Sequence, residues 1–238
     1  MKEKVIFSWS GGKDSALALY KLQKTKNCQI AALLTTISQD YDRISMHGVR
    51  TILLEIQAES LGLPLEKVLI TKDTTDEQYE RKMRQVLTKY LAAGVSSVVF
   101  GDIFLEDLRK CRESNLSKIG MKAIFPIWKI NPAVLAHEFI ESGFKAVITC
   151  IDLNFLDKIL IGRTFDEQFL SKLPSTVDPC GENGEFHSFV YDGPIFRQRI
   201  LHTTGKVVLR ENRFYYCDLL PLANSRTAPH TYLTAQVG

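Results

Sequence analysis

Six residues near the start of the chain constrain its architecture most. Ser10-Gly11-Gly12-Lys13-Asp14-Ser15 follows a short apolar run, Val5-Ile6-Phe7. It opens a stretch of helical spacing, Lys13 to Lys24, in which Ala16, Leu19 and Tyr20 share a face. A strand that passes through a glycine turn into a helix puts the turn at the carboxyl end of a sheet, where α/β sheets bind ligands. Gly11 and Gly12 permit positive φ and let an anion approach backbone N–H groups closely. The helix N-terminus adds roughly half a positive charge. Ser10 and Ser15 offer hydroxyls and Lys13 a cation. Asp14 is the odd member: a carboxylate beside a polyphosphate is repelled unless a cation lies between them, which points to Mg²⁺. The loop is neither Gly-x-x-x-x-Gly-Lys-[Ser/Thr] nor Gly-x-Gly-x-x-Gly, which argues against a γ-phosphate switch and a dinucleotide oxidoreductase.

The rest of the chain continues the rhythm. Ile30 to Ile37, Val68-Leu69-Ile70, Val98-Val99-Phe100 and Ala123-Ile124-Phe125 read as strands. Between them Val49, Ile52, Leu53 and Ile56 keep helical spacing. Thr75-x-x-Gln78 is a capping box for a helix that carries Tyr79, Met83, Val86, Leu87 and Tyr90 inward and ends at Gly94. The alternation predicts a Rossmann-like α/β fold, a parallel sheet with helices on both faces. Asn131-Pro132 starts another helix ending near Gly143, and Lys145 to Ile151 is a further strand. Near residue 173 the character changes. Leu173-Pro174-Ser175 and Asp178-Pro179-Cys180-Gly181 are turn chemistry, and Phe186–Tyr191, Lys206–Arg210 and Phe214–Cys217 alternate as strands. This predicts a nucleotide-phosphate-binding domain over 1–125 and a smaller C-terminal α+β domain over 126–238, the boundary falling within 125–175. The last ten or so residues read as a polar tail.

Composition narrows the partners. With 30 basic and 27 acidic residues the net charge is +3, too balanced to imply nucleic acid or a membrane surface. The apolar run after the charged N-terminus stops at Ser8, too short for a secretory core. The most apolar later stretch, Ala146 to Ile161, is broken by Asp152, Asn154, Asp157 and Lys158. Five cysteines without Cys-x-x-Cys spacing read as free thiols in a reducing cytoplasm.

A second cluster of chemistry lies at Gly181-Glu182-Asn183-Gly184-Glu185-Phe186-His187-Ser188. Two glycines with carboxylates mark a tight turn entering a strand, on which Glu185 and His187 would share a face. Such a pair suits proton transfer, amine positioning or cation binding; it equally suits a solvated polar hairpin. Ligand spacing for zinc is absent. Cys180 reads as an inert thiol.

The first loop resembles the PP-loop of ATP pyrophosphatases, which cleave ATP between its α and β phosphates. With both clusters, together with Ser45-Met46-His47, Gly101-Asp102 with Arg112, and Pro126-Ile127-Trp128, the chain resembles the diphthine–ammonia ligase family over nearly its whole length. The resemblance implies an enzyme that uses ATP and Mg²⁺ to adenylate a carboxylate, releases pyrophosphate, and forms an amide with ammonia or an amine. It implies ATP contacts from Ser10, Gly11, Gly12, Lys13, Asp14 and Ser15, from Thr35 at the end of the second strand, and from His47, Gly101 and Asp102. Asp14 would be the metal ligand. Asp14, Glu182, Glu185 and His187 would be catalytic, the last three facing the loop across a cleft. The family's archaeal and eukaryotic members tend to read Glu-Gly-Gly-Glu-[Phe/Tyr]-Glu-[Thr/Ser]. Asn183 and His187 depart from that and resemble a bacterial subset whose acceptor is not diphthine.

Each further residue has a plainer reading beside the functional one. His47 and Asp102 fit the ligand edge of the sheet, or a solvated helix start and strand end. Arg109 and Arg112 would steer an anion or form a basic face with Lys110. Trp128 fits inter-domain packing better than a stacking platform. Arg81, Lys82, Arg84 and Lys89 fit an outer helix face. The rival reading of the whole chain is an ATP-binding sensor that never turns over; a sulfur-inserting tRNA enzyme is disfavoured for want of paired cysteines and a basic stripe. The expected partners are a small-molecule or protein carboxylate and ammonia or an amine. Homo-oligomer formation stays open.

Overall fold

A computed structural model gives the fold of residues 2–44 and 47–222. The expected polar tail, and Ser45 and Met46, lie outside the described residues. In chain order the elements are β1 (Glu3–Ser8), α1 (Lys13–Thr25), β2 (Cys28–Ser38), β3 (Arg43–Ile44), α2 (Thr51–Leu61), β4 (Leu65–Ile70), α3 (Asp76–Ala92), β5 (Ser97–Val99), α4 (Glu106–Ser117), β6 (Lys122–Ile124), α5 (Pro132–Glu141), β7 (Lys145–Asp152), α6 (Glu167–Leu170), β8 (Phe186–Asp192), β9 (His202–Arg210) and β10 (Phe214–Pro221).

The first sheet runs β3-β2-β1-β5-β6, with β4 also paired to β2. All its pairings are parallel except the two-residue β3, which lies antiparallel on Ile37 and Ser38. Period-two alternation explains why it is covered on both faces. Val5, Phe7, Leu33 and Val99 point to one core with α1 and α2. Ile6, Ala32, Leu34 and Val98 point to the other, with Leu87 of α3 and Leu116 of α4. The capping box of α3 forms as its sequence requires: Thr75 Oγ1 accepts from Gln78 N and Gln78 Oε1 from Thr75 N. Asn131 likewise caps α5, accepting from Ala133 N at 2.9 Å. Tyr79 does not face inward as predicted. It lies within one turn of the cap, past the apolar layer, and stays exposed beside a cavity.

The second sheet, β8-β7-β10-β9, is antiparallel throughout. Its inner face does not form a separate core. Ala146, Ile148, Phe186 and Val190 join the cluster that holds α1 and α2. A chain of aromatic contacts through Phe139, Phe144, Phe165, Phe169 and Phe186 fills it, with centroids 4.9–6.1 Å apart. Each fully buried phenylalanine contributes about 1.5–3 kcal/mol. This shared core presses β8 against the start of α1.

Candidate active site

The glycine loop leaves β1 and enters α1 with Gly12 as N-cap, extended and without a side-chain cap. Gly11 has φ +74, and a Cβ there would sit 2.7 Å from Leu54. At Gly101 a Cβ would meet Asp14 and Ser15 backbone atoms at 3.0 Å, so glycine lets the loop after β5 touch the helix start. Ser10 Oγ accepts from Gly12 N at 3.2 Å and lies 3.1 Å from Ser15 Oγ, which donates to Gly12 O.

The loop is braced from outside. Gly11 O accepts from Val190 N and from Gln57 Nε2. The same Gln57 amide donates to Val190 O, and its oxygen accepts from Trp9 Nε1. Ser188 Oγ accepts from Lys13 N at 3.2 Å. Sequence reasoning missed Gln57, which is wholly buried. The signal was present: it interrupts the apolar stripe Leu53, Leu54, Ala58, Leu61 of α2, and a buried amide needs polar partners.

Lys13 does not reach freely into the loop. Its Nζ pairs with Asp14 at 2.7 Å and donates to the Cys180 carbonyl, with the Phe186 ring 5.2 Å away. Burial, the largest influence, would lower its pKa, but Asp14, Cys180 and Glu182 together outweigh that and raise it. Asp102 is ion-paired to Arg112, Oδ2 to Nε at 2.6 Å, and the guanidinium lies 4.2 Å from the Phe100 ring. Burial raises the Asp102 pKa in spite of Arg112. Glu182 crosses from the second sheet's turn: its Oε1 accepts from Ile103 N at 2.7 Å. Burial pushes its pKa up to about 7; the Ile103 N–H opposes, and the Asp14 and Asp102 charges add to the rise.

His47 and His187 stack with centroids 4.4 Å apart. Burial holds His47 down at about 4 and His187 well below its usual range, so both rings are neutral near pH 7. The His47 Nδ1 atom is buried and finds no partner among the described residues.

Glu185 departs from its predicted place. It does not form a facing pair with His187. Its buried carboxylate turns back and accepts from Asp178 N, Asn183 N and Asn183 Nδ2. It does not line the cavity beside the loop. The reason is register: Glu185 precedes β8, where the chain is still turning and three donors converge on it. Cys180 is buried and its thiol is pushed up by burial, in keeping with an inert sulfur. Arg109 and Arg112 part company: Arg109 lies against the Phe125 and Trp128 rings, and of the two only Arg112 reaches the cavities.

Two adjoining cavities result. The smaller, about 200 Å³, is lined by Ser10, Gly12, Lys13, Asp14, Ser15, Gly101 and Asp102 on one side and by Glu182, His187 and Ser188 on the other. The larger, about 650 Å³, runs over the strand ends between α3 and α4. It is mainly apolar and includes Trp9, Leu34, Thr35, Met83 and Phe100. Thr35 is buried, and its hydroxyl has no partner among the described residues. Among the described residues no group of three or more His, Cys, Asp or Glu side chains is placed to hold a metal ion. Asp14 nevertheless fits Mg²⁺, which needs only one or two carboxylates when phosphates supply other ligands. All five cysteines are unpaired, and no described helix is long and apolar enough to cross a membrane.

A glycine-rich loop between strand and helix, on a Rossmann-like sheet and closed by a second-sheet turn, is the architecture of a PP-loop protein. The chain belongs to the diphthamide synthase family: the family's N-terminal domain model matches residues 3–123 and its C-terminal domain model residues 131–217. The diphthine–ammonia ligase of Homo sapiens is 28% identical over 227 residues, 84% of this chain and 83% of its own length. That of Danio rerio is 26% identical over 232 residues, 88% of this chain and 90% of its own. That of Schizosaccharomyces pombe is 27% identical over 228 residues; the match spans 86% of this chain but only 37% of the yeast protein. Among solved structures, the U34-tRNA thiolase NcsA from Methanococcus maripaludis with its [4Fe-4S] cluster aligns at a TM-score of 0.35. It is 21% identical and covers 58% of this chain and 56% of that one.

Proposed function

We propose that the chain is an ATP-dependent, AMP-forming amide ligase that adenylates a carboxylate and couples it to ammonia or an amine. One observation carries the reading: Glu182 and His187, from the second sheet, line the same 200 Å³ cavity as Ser10 to Ser15. A nucleotide sensor needs only the loop. A ligase also needs a base, since ammonium must lose a proton before it attacks an acyl-adenylate. Glu182, titrating near 7, is matched to that task. The loop binds the phosphates through first-turn amides of α1, and Thr35 faces the adenosine in the larger cavity. Asp14 would hold Mg²⁺, which offsets polyphosphate charge when bound. Residues 1–125 form the ATP side and 126–238 the acceptor side. A phosphorus NMR time course with ATP, Mg²⁺ and acceptor tests this: AMP and pyrophosphate are expected, and ADP with orthophosphate as primary products would overturn it.

The acceptor is not diphthine. Asn183 and His187 stand in the turn and in the cavity wall, and His187 brings a neutral ring there. Expression in cells lacking the eukaryotic ligase decides the point. Diphthamide should stay absent, read by toxin-dependent ADP-ribosylation; its restoration would show that diphthine is accepted.

A further inference from the structure

The two cavities meet at a waist. The side chains that line both are Ser8, Ser10, His47, Phe100, Arg112 and His187. Arg112 is the one cationic residue among them. Lys13, the other cation of the small cavity, is taken up by Asp14 and the Cys180 carbonyl. Arg112 is not a loose surface charge. Asp102 grips one side of its guanidinium at 2.6 and 3.1 Å, and the Phe100 ring supports its face at 4.2 Å. A fork held on one edge presents its remaining N–H groups in a fixed direction.

A nucleotide lying in both cavities has its pyrophosphate against the polar loop and its adenosine in the apolar groove. The atom that joins the two parts is the α-phosphorus, so it lies at the waist. We infer that Arg112 is a catalytic residue of this site, contacting the α-phosphate of a bound adenine nucleotide and stabilising the charge that develops there during adenylyl transfer. This rests on the proposed AMP-forming reading. In that step an acceptor carboxylate oxygen bonds to the α-phosphorus while the bond from that phosphorus to the bridging oxygen breaks. The bond's electron pair leaves with pyrophosphate. Charge on the non-bridging α-oxygens rises in between, and a preorganised cation there lowers the barrier. The neutral imidazoles of His47 and His187 complete the wall without adding charge of either sign. Asp102 is then a positioning residue, since it acts through Arg112.

Dissecting the nucleotide tests the assignment on the full chain without knowledge of the acceptor. Calorimetric titrations with adenosine, AMP, pyrophosphate and ATP–Mg²⁺ are compared for the natural protein, Arg112→Gln and Arg112→Lys. Loss of a charged hydrogen-bonding partner should weaken AMP and ATP by about tenfold to a hundredfold in the Gln variant. Adenosine and pyrophosphate, which lack the α-phosphate linkage to adenosine, should bind unchanged. The Lys variant should fall between, because it keeps the charge and the pairing with Asp102 but loses the fork. Unchanged AMP affinity in the Gln variant overturns the proposal. So does equal weakening of all four ligands, if the Lys variant then binds AMP as the natural protein does. If the natural protein binds neither AMP nor ATP, the nucleotide reading itself fails; if it binds both but Arg112 proves indifferent, only the α-phosphate assignment fails.

Discussion

The glycine loop and the 181–188 turn face each other across one cavity but are built on opposite plans. The loop offers backbone: its glycines bring amides together, and its side chains mainly close it on itself, Ser10 to Ser15 and Lys13 to Asp14. The turn offers side chains, and it divides them. Glu182 and His187 face the cavity, Ser188 holds the amide of Lys13, and Glu185 ties the turn together. Similar carboxylates three residues apart therefore do different work. Glu182 keeps one backbone donor and a raised pKa, whereas Glu185 takes three donors. The carboxylate left partly unsatisfied is the one whose pKa rises, and the satisfied one ties the turn.

The sharpest break in that comparison would come from exchanging the two effects. Glu182→Gln should slow amide formation by about 10²–10⁴-fold while sparing nucleotide affinity. In the natural protein the rate should rise with pH through about 7, because the base works only when ionised and its carboxyl titrates there. The Gln variant should lose that limb, and a retained limb would move the role of base elsewhere. Glu185→Gln should do the reverse. It keeps an acceptor but gives up charge-assisted bonds inside a buried turn, at a cost of about 1.5–3 kcal/mol in a denaturant titration. A Glu185 variant of full stability with lost turnover would restore it as a catalytic group. Ser188→Ala sharpens the comparison least: it removes a single bond to Lys13 N and should lower Tm by about 2–4 °C, read by differential scanning calorimetry.

How far the sequence speaks follows the same division. The loop was legible because its chemistry is local: strand, glycines, hydroxyls and helix are contiguous. The capping box at Thr75 and the Asn131 cap are local too, and both form. The alternation of apolar strand runs such as Val5-Ile6-Phe7 with helical spacing was enough to imply a parallel sheet with helices on both faces. What stayed hidden depends on distance along the chain. Gln57 finds Gly11 and Val190, Glu182 finds Ile103, and Lys13 finds the Cys180 carbonyl only after folding. Alternation also misled at Glu185: the strand begins at Phe186, as its pattern suggests, but Glu185 still belongs to the turn and does not share the face of His187. Arg112 could not be told from Arg109 on charge alone; the aromatic rings around each separate them.

The brace between β8 and the glycine loop bears on the order of assembly. Lys13 and Ser188 are 175 residues apart, and Gln57 and Val190 are 133 apart. Contacts of such separation close late, because the chain between them loses its freedom before they repay it. During synthesis the loop emerges well over a hundred residues before Val190 N, the donor to Gly11 O. Until then Gly11 has neither its strand partner nor a Cβ to restrain it. A nascent chain therefore carries the glycine-loop motif long before the loop has its brace, and the loop matures together with the second sheet that presses on it.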